Sequence, residues 1–153
     1  MVRTDLAMEA VDSLEQKIKG CLLYTSKESA YDLVLVDAPC SALGMLFEKP
    51  DIRIRRQPQE IDEIARIQRQ ILSACCRYVK PGGRLAYLTC TILQRENQGQ
   101  IAHFLHEHPE FRPVRLEGLP QSAAERQRDG QVTIFPHLDG MDGFFIALME
   151  RQP

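Results

Sequence analysis

The sequence predicts an α/β protein whose sheet is mainly parallel and has an antiparallel last strand. Two apolar runs, at residues 31–37 and 84–90, are separated by a long amphipathic helical pattern, which is the order of a β-α-β unit. Three shorter strand-like segments follow, and only loops are expected between them. We therefore expect the final strand to run antiparallel, at an edge of the sheet.

The first predicted strand extends from Tyr31 to Asp37. Its four consecutive aliphatic residues, Leu33 to Val36, indicate a strand that is buried on both faces. Pro39 has no backbone N–H for a sheet ladder, so the strand should end at or near Asp37. Ligands of open α/β sheets bind beyond the carboxyl ends of the strands, and this end therefore becomes a candidate site.

Apolar residues at helical spacing predict a helix over residues 59–79. The positions that define the pattern are Ile61, Ile64, Ala65, Gln68, Ile71, Leu72 and Cys75. Pro58 suits the first turn, and acidic residues at 60, 62 and 63 complement the positive end of the helix. The segment from Lys80 to Gly83 should end the helix and turn the chain into a second strand, 84–90.

The remaining predicted elements are shorter. Helical patterns occur at 1–20 and 96–106, and strand-like segments at 111–116, 132–135 and 144–149. Segments 21–30, 41–58, 118–130 and 139–143 are expected to be loops or turns. Because segment 41–58 is long and rich in hydrophobic residues, we expect an ordered loop that serves a function.

The composition restricts the class of protein. A chain of 153 residues with 44% hydrophobic and 26% charged residues is typical of one soluble globular domain. No apolar run approaches the ~20 residues of a membrane span, and the N-terminus lacks the apolar region of a signal peptide, so we expect a cytoplasmic protein. Five cysteines at irregular spacing favour reduced thiols. A net charge of -2 does not suggest a free-standing nucleic-acid binder.

Cys40 and Cys90 each follow a predicted buried strand. Because the strands of a β-α-β unit are usually neighbours, both thiols should face one crevice beside Asp37. A thiol whose pKa is lowered there becomes a strong nucleophile. Each cysteine alone is equally well explained as a small buried hydrophobe, but the pair at two strand ends favours a function. Asp37 is alternatively a cap or turn residue, although its apolar neighbours suggest that its carboxylate needs partners.

The other candidates have simpler explanations. Cys75 and Cys76 are expected in the helix as packing residues, and Cys21 in a loop. A metal site is not expected, because C-x-x-C is absent and the histidines lack ligand spacing. A redox pair remains an alternative. The basic cluster, Arg53, Arg55, Arg56, Arg66 and Arg69, is either a solvated face paired with nearby acids or a phosphate-contacting surface.

Three segments together carry a family resemblance. They are Asp37–Ser41 with Leu43, Gly44 and Pro50–Arg53; Pro81–Thr91 with Glu96 and Asn97; and Asp139–Ala147. In this order they resemble the RNA cytosine-5 methyltransferases of the NOL/NOP/Sun type, and within them the bacterial small-subunit rRNA methyltransferase B group. The similarity extends from about Tyr31 to Arg151. Two departures are mild: Ala42 stands where the family usually has Gly, and Leu88 where it usually has Ser.

The resemblance implies a mechanism. Cys90 matches the nucleophile that adds to C6 of a cytosine, after which C5 takes a methyl group from S-adenosylmethionine. Cys40 matches the second cysteine, which assists release of the RNA. Asp37 matches the acid between cofactor and base, so it is also the candidate cofactor-binding residue. The implied partner is an RNA, in this group rRNA, with neither a membrane nor a metal involved.

The resemblance also implies a domain organisation. The family's cofactor-binding half, with its Gly-rich loop, precedes these motifs, and no such loop occurs in this sequence. We therefore expect residues 31–153 to form the C-terminal half of a Rossmann-like class I S-adenosylmethionine-dependent methyltransferase fold. Residues 1–30 are expected not to match the family. The alternative to a truncated enzyme is a non-catalytic RNA-binding or interaction remnant.

Overall fold

The computed structural model describes residues 27–55 and 57–153. Within them, one mixed sheet contains β1 (Tyr31–Asp37), β2 (Val79–Thr89), β3 (Phe111–Pro113), β4 (Gln131–Ile134) and β5 (Phe144–Arg151). The helices are α1 (Ile52–Arg55), α2 (Pro58–Cys76), α3 (Gln98–Glu107), α4 (Gln121–Arg126) and α5 (Pro136–Asp139), with a 3-10 turn at Leu43–Met45. The helix predicted over residues 1–20 lies outside the described residues.

The sheet has the order β1-β2-β5-β3, and β4 also pairs with β5. β1 and β2 are parallel, whereas β5 is antiparallel to β2, β3 and β4. Four strands therefore point one way and the last strand points the other, which confirms the predicted α/β fold with an antiparallel last strand. The edge position expected for that strand is wrong. β5 lies inside the sheet, since it pairs with β2 on one side and with β3 and β4 on the other.

β1 is buried on one face, and the prediction that both faces are buried is wrong. Leu33 and Leu35 are 56% and 61% exposed, whereas Val34 and Val36 pack into the core. Successive side chains of a strand point to opposite faces, so the aliphatic run is divided between core and solvent. Four apolar residues in sequence do not reveal that one face stays uncovered.

The predicted central helix is confirmed as α2, with Pro58 in its first turn. Gln57 and Glu60 form a reciprocal capping box, in which the Gln57 N–H donates to the Glu60 carboxylate at 3.3 Å. The predicted apolar face is buried at Ala65 and Leu72. The helix ends at Cys76, three residues before the predicted end, because Val79 already pairs with Tyr31 as the first residue of β2.

The Lys80–Gly83 segment lies within β2 and is not a turn before it. The register shifts here: Tyr31 pairs with Val79, and Leu33 pairs with Arg84. Gly82 adopts a φ of 75°, a left-handed conformation that glycine takes without strain, and this lets the extra residues bulge from the strand. The sequence signal for a chain reversal therefore marks a bulge.

Two hydrophobic clusters cover opposite faces of β5. Phe145 and Ala147 contact the larger cluster, under α2 and α3, whereas Phe144 and Ile146 pack against the smaller one, under α4. α4 falls within residues 118–130, which were predicted as loop. The later strands are confirmed, although β3 is shorter than predicted and β5 extends to Arg151. None of the described helices is long and apolar enough to cross a membrane.

Candidate active site

The thiols of Cys40 and Cys90 are in contact, with their Sγ atoms 3.0 Å apart. Cys90 directly follows β2, and Cys40 lies three residues beyond the end of β1. Because these strands are parallel neighbours, their carboxyl ends meet at the same edge of the sheet. The predicted meeting of the two thiols is confirmed.

Cys40 keeps its proton more firmly than an ordinary cysteine. Burial is the main cause that raises its pKa, and the hydrogen bond with the Cys90 sulfur adds to the effect. Either sulfur can donate in the contact between Cys40 and Cys90.

Asp37 is the last residue of β1, and its side chain is exposed. It lies on the same face of the strand as Leu33 and Leu35, which explains why the expectation of a partnered carboxylate is wrong. Within residues 27–55 and 57–153, its carboxylate makes no hydrogen bond to another side chain. Asp37 is thus an exposed acceptor at the carboxyl end of the strand.

A buried carboxylate, that of Glu96, connects the two cysteine loops. It accepts hydrogen bonds from the Ser41 N–H at 2.8 Å, from the Ser41 hydroxyl at 2.5 Å and from the Gln68 amide at 3.1 Å. Thr91, the residue after Cys90, also donates to it at 3.3 Å. Sequence reasoning gave Glu96 no role of its own, because its spacing does not distinguish it from the exposed acids of the chain.

Asn97 fixes the backbone on both sides of Cys90. Its side-chain oxygen accepts a hydrogen bond from the Thr89 hydroxyl at 2.6 Å, and its amide donates to the Thr91 carbonyl at 2.9 Å. All three residues are fully buried. The backbone around the thiol is therefore anchored by side-chain hydrogen bonds where regular pairing stops, since β2 ends at Thr89.

A third loop reaches the site through two glycines. The Gly44 N–H donates to the Cys90 carbonyl at 3.0 Å, and the Gly143 N–H donates to the Gly44 carbonyl at 2.8 Å. A Cβ atom on Gly44 would lie 2.1 Å from the Gly143 oxygen, so only glycine permits this approach. The segment before β5 is thereby joined to both cysteine loops.

The remaining cysteines stand apart from this pair. Cys76 is buried in the core, its thiol donates to the Ser73 carbonyl at 3.2 Å, and burial raises its pKa to about 11. Cys75 is half-buried on α2, and burial raises its pKa as well. Both fit the interpretation as packing residues, and Cys21 lies outside the described residues.

The basic cluster is partly paired. Arg66 forms a salt bridge with Glu63 at 2.6 Å, as the solvated-face interpretation expects. Asp62 pairs with Arg95, which is not a member of the cluster. Arg53 and Arg69 are exposed, on α1 and α2.

A family model described as 16S rRNA methyltransferase RsmB/F matches residues 3–150. The chain belongs to this RsmB/F methyltransferase family. The matched range includes most of residues 1–30, which were expected to differ; their boundary stays a prediction, because residues 1–26 are not described. The RsmB/F membership confirms the family inferred from the two cysteine motifs and the closing segment.

Known proteins extend the comparison. The chain is 42% identical over 130 residues to a probable ribosomal RNA small subunit methyltransferase B of Bacillus subtilis, covering 84% of this chain and 29% of the relative. It is 43% identical over 117 residues to the ribosomal RNA small subunit methyltransferase B of Shewanella oneidensis, covering 76% and 26%. The chain thus spans less than a third of either relative.

Solved structures share the fold. The crystal structure of PH0851 matches with a TM-score of 0.74 and 40% identity, covering 81% of this chain and 27% of that one. The structure of NSun6 from Pyrococcus horikoshii with SFG matches with a TM-score of 0.66 and 28% identity, covering 78% and 29%. These similarities confirm the Rossmann-like methyltransferase fold predicted for the C-terminal half.

Proposed function

We propose that this chain supplies the cysteine pair of an S-adenosylmethionine-dependent methyltransferase that modifies C5 of a cytosine in rRNA. The observation that carries the proposal is the contact of 3.0 Å between the Cys40 and Cys90 sulfurs at the carboxyl ends of two parallel strands. Membership of the RsmB/F family and the names of the relatives support rRNA as the substrate.

In this proposal Cys90 is the nucleophile. Its thiolate adds to C6 of the cytosine, and the electron pair of the C5–C6 bond becomes available at C5. The bound cofactor supplies the methyl group that C5 takes. A base then removes the C5 proton, the C5–C6 double bond re-forms, and the C6–sulfur bond breaks.

Cys40 assists the last of these steps. The sulfur of Cys90 leaves as a thiolate, and the protonated Cys40 thiol beside it donates a hydrogen bond to the developing negative charge. The raised pKa of Cys40, caused mainly by burial, keeps this donor protonated at neutral pH. Addition and release are thereby divided between two adjacent sulfurs.

Asp37 fits the position of a cofactor and base ligand. Its carboxylate is exposed at the end of β1. An ionised carboxylate accepts hydrogen bonds and donates none, so it suits hydroxyl, ammonium or amino donors. SFG, an analogue of S-adenosylmethionine, accompanies the related NSun6 structure and supports the choice of cofactor.

The target base must leave its stack to reach the two thiols. The exposed Arg53 is a candidate contact for the RNA phosphates.

Trapping with RNA that contains 5-fluorocytosine tests the proposal. Because the chain spans only 29% of the Bacillus subtilis relative, residues 27–153 replace the corresponding part of that relative in a chimera. Fluorine at C5 cannot leave as a proton does, so the covalent adduct persists. We expect Cys90→Ala to abolish the adduct, and Cys40→Ala to accumulate an adduct even with RNA that lacks fluorine. Cys75→Ala should behave as the wild type with both RNAs. Swapped phenotypes of the first two variants would contradict the assignment.

A second candidate function is a non-catalytic interaction module. The exposed apolar side chains of β1, Tyr31, Leu33 and Leu35, on an edge strand of the described sheet favour it, since such edges pair with other chains. Sedimentation of the chain, with and without rRNA, distinguishes the two. A monomer without affinity for RNA argues against the interaction module.

A further inference from the structure

We propose that Glu96 is the positioning residue that keeps the Cys40 and Cys90 thiols in contact. The inference rests on the proposed function only in that these two thiols are the reacting groups. Glu96 lies six residues after Cys90, just before α3, and its side chain is 0% exposed. It reaches neither sulfur itself; it acts on the residue that follows each cysteine.

The two carboxylate oxygens together accept hydrogen bonds from both cysteine loops and from α2. Oε2 accepts from the Ser41 N–H at 2.8 Å and from Gln68 Nε2 at 3.1 Å. Oε1 accepts from the Ser41 hydroxyl at 2.5 Å and from the Thr91 hydroxyl at 3.3 Å. The hydroxyls of Ser41 and Thr91 also contact each other at 2.9 Å. One carboxylate thus fixes the distance between the residues next to the two thiols.

Gln68 extends this restraint to the other side of Cys40. Its Nε2 donates to the Pro39 carbonyl at 2.9 Å while it also donates to Glu96. Pro39 and Ser41 flank Cys40, so α2 and Glu96 together fix the backbone on both sides of this thiol. The backbone of Glu96 is itself anchored, because the buried Tyr87 hydroxyl donates to its carbonyl at 2.8 Å.

Burial of the Glu96 carboxylate in the core is energetically unfavourable in itself. Its hydrogen bonds come from uncharged groups, and among the described residues no Arg, Lys or His side chain forms an ion pair with it. Burying an acid without a cation carries a large desolvation cost that hydrogen bonds only offset. Apolar residues would fill the same space without this desolvation cost. The geometry therefore points to placement of the two cysteine loops as the role of Glu96.

Two substitutions separate reach from charge. Glu96→Gln keeps the length: its amide oxygen can take the place of Oε2, and its NH2 group can donate to the two hydroxyls near Oε1. Glu96→Asp keeps the charge but is one methylene shorter, so it cannot reach both loops. Glu107→Gln, an exposed position at the other end of α3, is the matched control.

The measurement is bridging of the two thiols by dibromobimane in the 153-residue chain, followed by tryptic mapping. Cys40 falls in peptide 28–53 and Cys90 in peptide 85–95, whereas Cys75 and Cys76 share peptide 70–77. We expect Glu96→Gln and Glu107→Gln to bridge 28–53 with 85–95 within about twofold of the wild-type rate, since their geometry is retained. Glu96→Asp and Glu96→Ala should bridge at least about tenfold more slowly, as a misplacement near 1 Å has large effects.

Far-UV circular dichroism checks that each variant is folded. Should the Asp and Ala variants unfold, Thr91→Val removes one donor of the carboxylate in a folded chain and should slow the bridging severalfold. Bridging at the wild-type rate in Glu96→Asp or Thr91→Val, or an equal loss of rate in the Gln and Asp variants, would overturn the proposal.

The 5-fluorocytosine adduct separates this proposal from the proposed function. If the Glu96 variants slow bridging as expected but the chimera forms no adduct, the proposed function alone is rejected. If the adduct forms but the Glu96 variants bridge at the wild-type rate, the positioning role alone is rejected.

Discussion

The backbone of Gly143 rests against that of Gly44, with the Gly143 N–H donating to the Gly44 carbonyl at 2.8 Å. Gly44 in turn donates to the Cys90 carbonyl at 3.0 Å. The chain just before the last strand is therefore connected to the nucleophile candidate through one intervening residue. The closing segment of the sequence is part of the site, although neither glycine carries a side chain that could react.

Gly44→Ala is expected to disrupt this connection. Its Cβ would lie 2.1 Å from the Gly143 oxygen and 2.8 Å from the Cys90 oxygen, both of them backbone atoms that cannot move aside cheaply. We expect a loss of about 2–3 kcal/mol in the free energy of unfolding, measured by urea denaturation. Gly140→Ala is the control: its Cβ meets nothing within 4 Å, and its φ of 65° alone should cost about 1 kcal/mol. Equal losses in both variants would contradict the steric explanation.

Ala42→Gly is expected to stabilise the chain. Ala42 adopts φ 60° and ψ 23°, the left-handed conformation that disfavours any residue with a Cβ. The substitution should raise the free energy of unfolding by up to about 1 kcal/mol. Ala124→Gly in α4 should lower it by about 1 kcal/mol, because there the backbone is helical. A decrease in both variants would show that Ala42 is not strained.

The stability of the chain should fall as the pH rises above about 9, where unfolded thiols lose their protons. Burial raises the pKa of Cys40, and it raises that of Cys76 to about 11, so the folded chain stays protonated when the unfolded chain does not. Burial raises the pKa of Tyr87 in the same direction. The unfolded state then binds fewer protons, which makes stability decrease with pH. Urea midpoints between pH 7 and 11 measure this, and Cys76→Ala should flatten the decline.

Acid should weaken the junction between α4 and α5. The Asp139 carboxylate accepts hydrogen bonds from Arg126 at 2.6 Å and from the Phe135 N–H at 2.8 Å, and these hold its pKa at about 2, with Arg126 the larger cause. A carboxyl with a lowered pKa stabilises the fold above its unfolded pKa of about 4 and loses this contribution as the pH falls towards 2. Urea midpoints between pH 5 and 2 should decline less steeply in Asp139→Asn than in the exposed control Asp129→Asn.

The sequence carried enough information to place the thiols. Aliphatic runs that stop at Asp37 and Cys90, with an amphipathic helix between them, identify two parallel neighbours, and their carboxyl ends coincide for topological reasons. Pro39 marked the end of β1 correctly. These signals lie in short stretches of the chain, so a single sequence is sufficient to recognise them.

Other features depend on contacts that are distant in sequence. The interior place of β5 and the exposed face at Leu33 and Leu35 follow from which elements cover the sheet, and hydrophobic patterning does not encode this. Glutamate is usually a surface residue, yet two loops and one helix surround the Glu96 carboxylate with donors. A buried acid is found by its partners, which only the fold brings together.

The central place of β5 sets the order in which the molecule can be completed. β5 hydrogen-bonds to β2 on one side and to β3 and β4 on the other, and it leaves the ribosome after all of the other described elements. Until then, β2 lacks its antiparallel neighbour and Gly143 is not available to Gly44. The nascent chain therefore carries Cys40 and Cys90 on unfinished loops, and the candidate site is complete only when β5 has joined the sheet.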